Sequence, residues 1–151
     1  MEISSIIADP ITVRPWQESD RPFLRTLYLH ARRDAWLWLN SAEWQPEDFD
    51  AATRDEEIWV AVQNGRCLGF ASVWTHDNFL HNLFVDPRYQ NLGVGRLLLE
   101  QAQKTFTRTG ALKCLIRNER AIAFYQRHGW HVEETGDSPD GEYYLMHYRL
   151  R

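Results

Sequence analysis

Val85-Asp86-Pro87-Arg88-Tyr89-Gln90-Asn91-Leu92-Gly93-Val94-Gly95-Arg96 is the stretch that decides the fold. An apolar run over 79–85 leads into it and stops at Asp86-Pro87, which marks the end of a strand. After the loop, a helical pattern opens on Gly93 and Gly95. Glycine lets the backbone come close to a ligand, and the first turn of a helix carries N–H groups without an intrahelical acceptor. The positive end of the helix dipole lies behind those amides, so the place suits an anion such as phosphate. A dinucleotide fingerprint needs a third glycine where this chain has Leu98, and a P-loop needs Gly-Lys-Ser/Thr, which is absent.

A second run stands further along: Asn118-Glu119-Arg120-Ala121-Ile122-Ala123-Phe124-Tyr125-Gln126-Arg127-His128-Gly129-Trp130. Gln90-x-x-Gly93-x-Gly95 resembles the acetyl-CoA pyrophosphate loop of the GNAT superfamily of N-acetyltransferases. The second run resembles that superfamily's Asn-x-x-Ala-x-x-Phe-Tyr-x-x-x-Gly-Phe signature, with Trp130 where the final Phe usually stands. The two come in the family's order and spacing. The resemblance covers about residues 11–150 and is strongest over 79–130.

Patterning read outward from the loop gives the remaining elements. Residues 11–16 alternate as a first strand, and Ser19-Asp20 with Pro22 starts a helix whose stripe is Phe23, Leu24, Leu27, Tyr28 and Ala31. Residues 46–52 start a second, short helix. Residues 58–62 and 67–74 form a hairpin around Asn64-Gly65, a strong turn signal. Val94, Leu97, Leu98, Ala102 and Phe106 stripe a third helix. A strand over 111–116 follows, then a helix over 119–128 with Gly129 as its cap, then strands over 130–135 and 143–150 joined by the turn-rich segment 136–141. The order is β-α-α-β-β-β-α-β-α-β-β, an α/β (α+β) arrangement in one domain over 1–151. The resemblance implies the GNAT fold: a mixed, mostly antiparallel sheet of about seven strands with about four helices.

Composition excludes other classes. The 151 residues carry a formal charge of −4 with the basic residues scattered, which argues against nucleic-acid binding. The segment 1–10 lacks the basic and apolar regions of a signal peptide, and no apolar run is long enough for a membrane span. Cys67 and Cys114 are too few for a disulfide framework or a zinc site and are read as small apolar groups in a reducing cytoplasm. His128 and His131 resemble a ligand pair in spacing alone, and no metal is expected.

The resemblance also implies roles. The strand over 79–85 and the strand over 111–116 would splay, with the pantetheine arm of acetyl-CoA pairing with backbone at Leu83, Phe84 and Val85. Gln90, Asn91, Leu92, Gly93, Val94, Gly95 and Arg96 would hold the pyrophosphate, and Asn118 would bond the arm or steady its loop. A backbone N–H near Leu83 or Phe84 would polarise the thioester carbonyl. Tyr125 matches the position that commonly protonates the departing thiolate; read as a residue alone it is an aromatic on a helix face.

Acetyl transfer also requires an amine free of its extra proton. For a lysine-like amine of pKa about 10.4, that costs on the order of 4–5 kcal/mol at neutral pH. Phe79-Leu80-His81-Asn82-Leu83-Phe84-Val85 resembles the His-x-His-Ala-Leu-x-Val strand of serotonin-type arylalkylamine N-acetyltransferases, where two histidines relay this proton. His81 matches the second, while Phe79 replaces the first. An imidazole, with its ordinary pKa of roughly 6.5, suits a base at neutral pH. The other reading of His81 is a hydrogen-bonded histidine on a half-buried strand. Many relatives place a Glu on the strand before Asn118, but here that strand reads Leu112-Lys113-Cys114-Leu115-Ile116-Arg117, which favours His81 or a water route.

Trp36, Trp38, Trp44 and Phe49 fall where the superfamily places its acceptor-facing segment. They are read as an aromatic pocket for an aryl or cationic amine, or alternatively as core and lid packing. The expected activity is acetyl transfer from acetyl-CoA to a primary amine by direct attack, in a monomer or homodimer. Rival readings are acetylation of a protein N-terminus or lysine, a non-catalytic acyl-CoA-binding module, and a nucleotide-binding domain.

Overall fold

A computed structural model describes residues 9–150, so the leader reading of 1–10 falls almost wholly outside the described residues. Within these residues seven strands form one sheet: β1 Thr12–Pro15, β2 Glu57–Gln63, β3 Arg66–Trp74, β4 Phe79–Val85, β5 Gly110–Leu115, β6 His131–Ser138 and β7 Gly141–Tyr148. Their order across the sheet is β1-β2-β3-β4-β5-β7-β6. Every neighbouring pair is antiparallel except β4 and β5.

Among the described residues, four α-helices cover the sheet: α1 Arg21–Ala35, α2 Asp48–Ala52, α3 Val94–Lys104 and α4 Glu119–Arg127. On one face Leu24, Leu27, Tyr28 and Ala31 of α1 and Phe49 of α2 pack on Ile58, Val60 and Phe70. On the other, Val94, Leu98, Leu99 and Ala102 of α3 and Tyr125 of α4 pack on Ala61, Ala71, Val73, Leu80, Leu112 and Met146. Gly69 lets α3 lie this close to β3, because a Cβ there would meet the Phe84 carbonyl oxygen at 2.7 Å and Leu98 at 3.1 Å.

The helical stripes shift slightly from the pattern reading. Phe23 is 66% exposed, one step off the buried side of α1, and Leu99 rather than Leu97 is fully buried in α3. The segment 136–141 is mostly strand: Gly136, Asp137 and Ser138 pair with Tyr143, Glu142 and Gly141, leaving a tight turn at Pro139-Asp140. Gly136 explains the difference, because it lies under the Tyr143 ring where a side chain would collide, so the glycine belongs to the ladder rather than to the turn.

Two irregularities shape the site. The β4–β5 ladder is a single parallel pair, Phe79 with Ala111, beyond which the strands part. β4 also holds a bulge: Asn82 pairs with Ser72 and Leu80 with Val73, so His81 is the extra residue. Leu80 joins the α3–α4 core, whereas Asn82 bonds to Ala52 at the end of α2 and His81 to Glu56 on the connection that follows. The bulge therefore turns two consecutive side chains to one face, which a regular strand cannot do.

Candidate active site

Where β4 and β5 part, a cavity of about 1100 Å³ opens. From β4 it is lined by Phe79, His81, Asn82, Leu83, Phe84 and Val85. From the loop and the start of α3 come Gln90, Asn91, Gly93, Val94, Gly95 and Arg96; Asn118 and Tyr125 close the opposite wall. Of the residues expected around acetyl-CoA, only Leu92 is outside the lining; its side chain points to solvent, 56% exposed.

The loop has the backbone needed to turn its amides inward. Asn91 and Gly93 both adopt left-handed conformations, φ 65° and 83°. The first intrahelical bond of α3 runs from Leu97 N–H to Gly93 O at 3.1 Å, so the N–H groups of Val94, Gly95 and Arg96 have no acceptor within the helix. Arg96, Lys113, Arg120 and Arg127 line the same cavity and gather positive charge in a chain that is acidic as a whole. At the start of α4, the Asn118 side chain accepts from Ala121 N–H at 3.4 Å, a helix cap that holds the β5–α4 corner.

Tyr125 reaches the gap from the α4 side. Its ring packs edge-on against Phe124 and Trp130 at centroid distances of 5.3 and 6.0 Å. Trp130, in the position of the family's Phe, is itself buried and anchored by Nε1 donating to Gln103 Oε1 at 3.0 Å. Burial pushes the Tyr125 phenol well above the usual tyrosine range, with the neighbouring Cys114 adding to it. The phenol is thus a proton holder across the working pH range. Cys114, in the same wall, is pushed up to about 12 by burial.

His81 stands on the opposite face, its side chain 45% exposed toward the cavity. Its Nδ1 lies 2.5 Å from Glu56 Oε2, and the Glu56 side chain is only 7% exposed. The other carboxylate oxygen of Glu56 accepts from Ser72 Oγ at 2.6 Å. Ser72 Oγ in turn accepts from Asn82 Nδ2 at 2.7 Å, and that amide also donates to Ala52 O at 3.1 Å. Sequence patterning does not single out Glu56. It belongs to no motif and lies 25 residues from His81, and the β2–β3 and β3–β4 registers, with the bulge, bring the two together.

The three tryptophans separate. Trp36 lines the cavity and packs edge-on against Phe84 at 5.7 Å. Trp44 lies behind it, between Trp36 at 6.2 Å and the Arg32 guanidinium at 4.7 Å. Trp38 sits over Arg117 at 5.2 Å, and neither it nor Trp44 contributes to the lining. Phe49 is fully buried in the α1–α2 core. His128 caps α4 against Phe124, His131 opens β6, and among the described residues no group of His, Cys, Asp or Glu is placed to hold a metal. Among the same residues, no helix is long and apolar enough to cross a membrane.

A parted β4–β5 pair, a glycine-opened helix start beside it and a buried tyrosine across the gap make up the candidate site. The sequence model of the acetyltransferase (GNAT) family matches residues 14–130, and the chain belongs to that family. It is 28% identical over 123 residues to the peptidyl-lysine N-acetyltransferase YiaC of Escherichia coli, covering 80% of this chain and 83% of YiaC. Its fold matches PaiA N-acetyltransferase from Thermoplasma acidophilum, solved in complex with coenzyme A, at a TM-score of 0.77 and 18% identity, over 94% of this chain and 100% of that one. The ribosomal-protein-S18-alanine N-acetyltransferase of Escherichia coli matches at a TM-score of 0.67 and 24% identity, over 93% and 94% of the two chains. The chain is therefore an acetyl-CoA-dependent N-acetyltransferase.

Proposed function

We propose that the acceptor is a primary amine on a small molecule with an aryl or cationic body, deprotonated by His81 and acetylated by direct attack. The observation that carries this is the pairing of His81 with Glu56 on the face of the gap opposite Tyr125. Acetyl-CoA supplies the activated acetyl group as a thioester; the chain supplies a cradle, a base and an acid. The free amides of Val94, Gly95 and Arg96, with the surrounding basic side chains, would hold the phosphates. On the α1–α2 face, His81 takes the amine proton at Nε2 while Trp36 and Phe84 flank it with aromatic surface. Asp34, Asp137 and Asp140 also line the cavity and favour a positively charged acceptor.

On the α4 face, Tyr125 holds a proton for the sulfur released by transfer. Acetylation of a lysine side chain is the second reading, supported by the likeness to YiaC; a lysine is also a primary amine and meets the same base. Thiol release measured across small aryl, alkyl and polycationic amines and lysine peptides separates the two. Turnover concentrated on the small amines supports the first reading, and turnover confined to peptides replaces it with the second.

The phosphate cradle is tested at Gly95. A Cβ there would already touch Phe124 at 3.4 Å and Val85 at 3.8 Å, so the methyls of a valine crowd the cavity lining. Gly95→Val is expected to lower acetyl-CoA affinity by about tenfold or more in calorimetry, the equivalent of roughly one charge-assisted hydrogen bond. Unchanged affinity would move the phosphates away from this loop.

A further inference from the structure

We infer that Glu56 is a positioning residue: held by Ser72 and Asn82, it fixes His81 in the tautomer that carries its proton on Nδ1, leaving Nε2 free to act. The inference rests on the reading of His81 as the base and adds a group that no motif of the chain contains.

The direction of each hydrogen bond follows from the chemistry of its partners. Asn82 spends both amide protons, one on Ala52 O at 3.1 Å and one on Ser72 Oγ at 2.7 Å. Ser72 Oγ is thereby an acceptor toward Asn82, and its single proton is free to go to Glu56 Oε1 at 2.6 Å. A carboxylate accepts on both oxygens, so the 2.5 Å approach of Glu56 Oε2 to His81 Nδ1 places a proton on Nδ1. The neutral imidazole then has its lone pair on Nε2. Asn82, Ser72 and the Glu56 side chain are all buried, whereas the His81 side chain is 45% exposed. A buried, hydrogen-bonded chain thus ends on an imidazole that meets the cavity.

Protons balance over the cycle. An ammonium acceptor loses two protons in becoming the amide. His81 Nε2 takes the first, and the second, shed by the newly acylated nitrogen, replaces through water the proton that Tyr125 gives to the departing sulfur. The imidazolium formed at His81 keeps its Nδ1–H donated to the Glu56 carboxylate. Imidazolium and carboxylate then form a neutral pair, and the Nε2 proton leaves to water through the open cavity before the next cycle. Glu56 needs no proton at any step, which is the division of labour between an acidic partner and a histidine base in hydrolytic triads.

Glu56→Gln tests this with nearly unchanged shape. Ser72 can donate only to the carbonyl oxygen of the new amide, which turns the amide NH2 toward His81 Nδ1 and forces the ring proton onto Nε2. In the full chain, kcat is expected to fall by roughly 10²–10⁴-fold, as for an acidic partner replaced by its amide. Acetyl-CoA affinity should be preserved, and nitrogen NMR of labelled His81 should show its proton moved from Nδ1 to Nε2. Glu56→Asp, which keeps an ionised acceptor, should restore the Nδ1 tautomer and part of the rate. Ser72→Ala serves as the second variant should the amide substitution disturb folding: it removes one support of the carboxylate and should lower kcat by about three- to tenfold. An unchanged His81 tautomer in Glu56→Gln, or wild-type turnover in either Glu56→Gln or Ser72→Ala, overturns the positioning role. Those results leave the base assignment intact; that assignment fails separately, if His81→Gln keeps the wild-type dependence of rate on pH.

Discussion

Replacing Tyr125 with phenylalanine is expected to lower kcat by roughly 10²–10⁴-fold, the usual contribution of a positioned general acid. Acetyl-CoA affinity should stay within about twofold, because the ring still packs between Phe124 and Trp130 and only the hydroxyl is lost. Burial raises this phenol above its ordinary range, so the proton is held more firmly at every working pH. It follows that ionisation of Tyr125 gives no descending limb in the rate profile below about pH 10. Single-turnover measurements should place the loss in the transfer step rather than in binding. A phenylalanine variant with wild-type turnover would reduce Tyr125 to a packing residue, and the leaving sulfur would then take its proton from water.

Much of the scaffold for this chemistry is legible in the sequence because it rests on local rules. Asn64-Gly65 marks a hairpin, and both residues take positive φ where the turn needs them. Asn118 marks a helix start and does cap α4. The loop before α3 is legible from two glycines, and Gly93 takes the left-handed conformation at the helix entrance. What is not legible depends on long-range register. The bulge at His81 breaks the two-residue period of β4, so alternation alone sends Asn82 to the face opposite His81. Glu56 precedes β2 in a connection with no pattern of its own and acquires its partner only when β2, β3 and β4 are laid side by side. The tryptophans show the reverse case. Their clustering points to a pocket, but Arg32 lies within cation–π distance of both Tyr28, at 4.0 Å, and Trp44, at 4.7 Å, so Trp44 stays behind Trp36. Which aromatic faces the ligand is decided by such neighbours, not by spacing.

Replacing His81 with glutamine is expected to lower kcat/KM by roughly 10²–10⁴-fold near neutral pH and to replace the limb that levels off at the imidazole's pKa by one that climbs to the pKa of the amine itself. The sign follows from the role. A base must be unprotonated to accept the amine proton, so an imidazole base gives a rate that rises with pH through the near-neutral range. Glutamine retains polar bulk beside Glu56 but offers no proton acceptor that titrates there. With the imidazole gone, only the free-amine fraction of the substrate reacts, and the residual rate should rise about tenfold per pH unit until the amine's own pKa is reached. An acceptor of lower pKa should therefore lose less from the substitution than an alkylamine. This contrast separates proton removal from simple crowding: lost packing would lower the rate for every acceptor alike. Acetyl-CoA affinity should be unaffected, since His81 and the α3 loop lie on different walls of the cavity. The double variant with Tyr125→Phe gives a further constraint. The two side chains reach the gap from opposite faces of the sheet and handle different protons, one leaving the amine and one arriving at sulfur. If both protons move in the same rate-limiting step, the two losses should combine nearly multiplicatively until the residual rate reaches that of uncatalysed transfer between bound reactants.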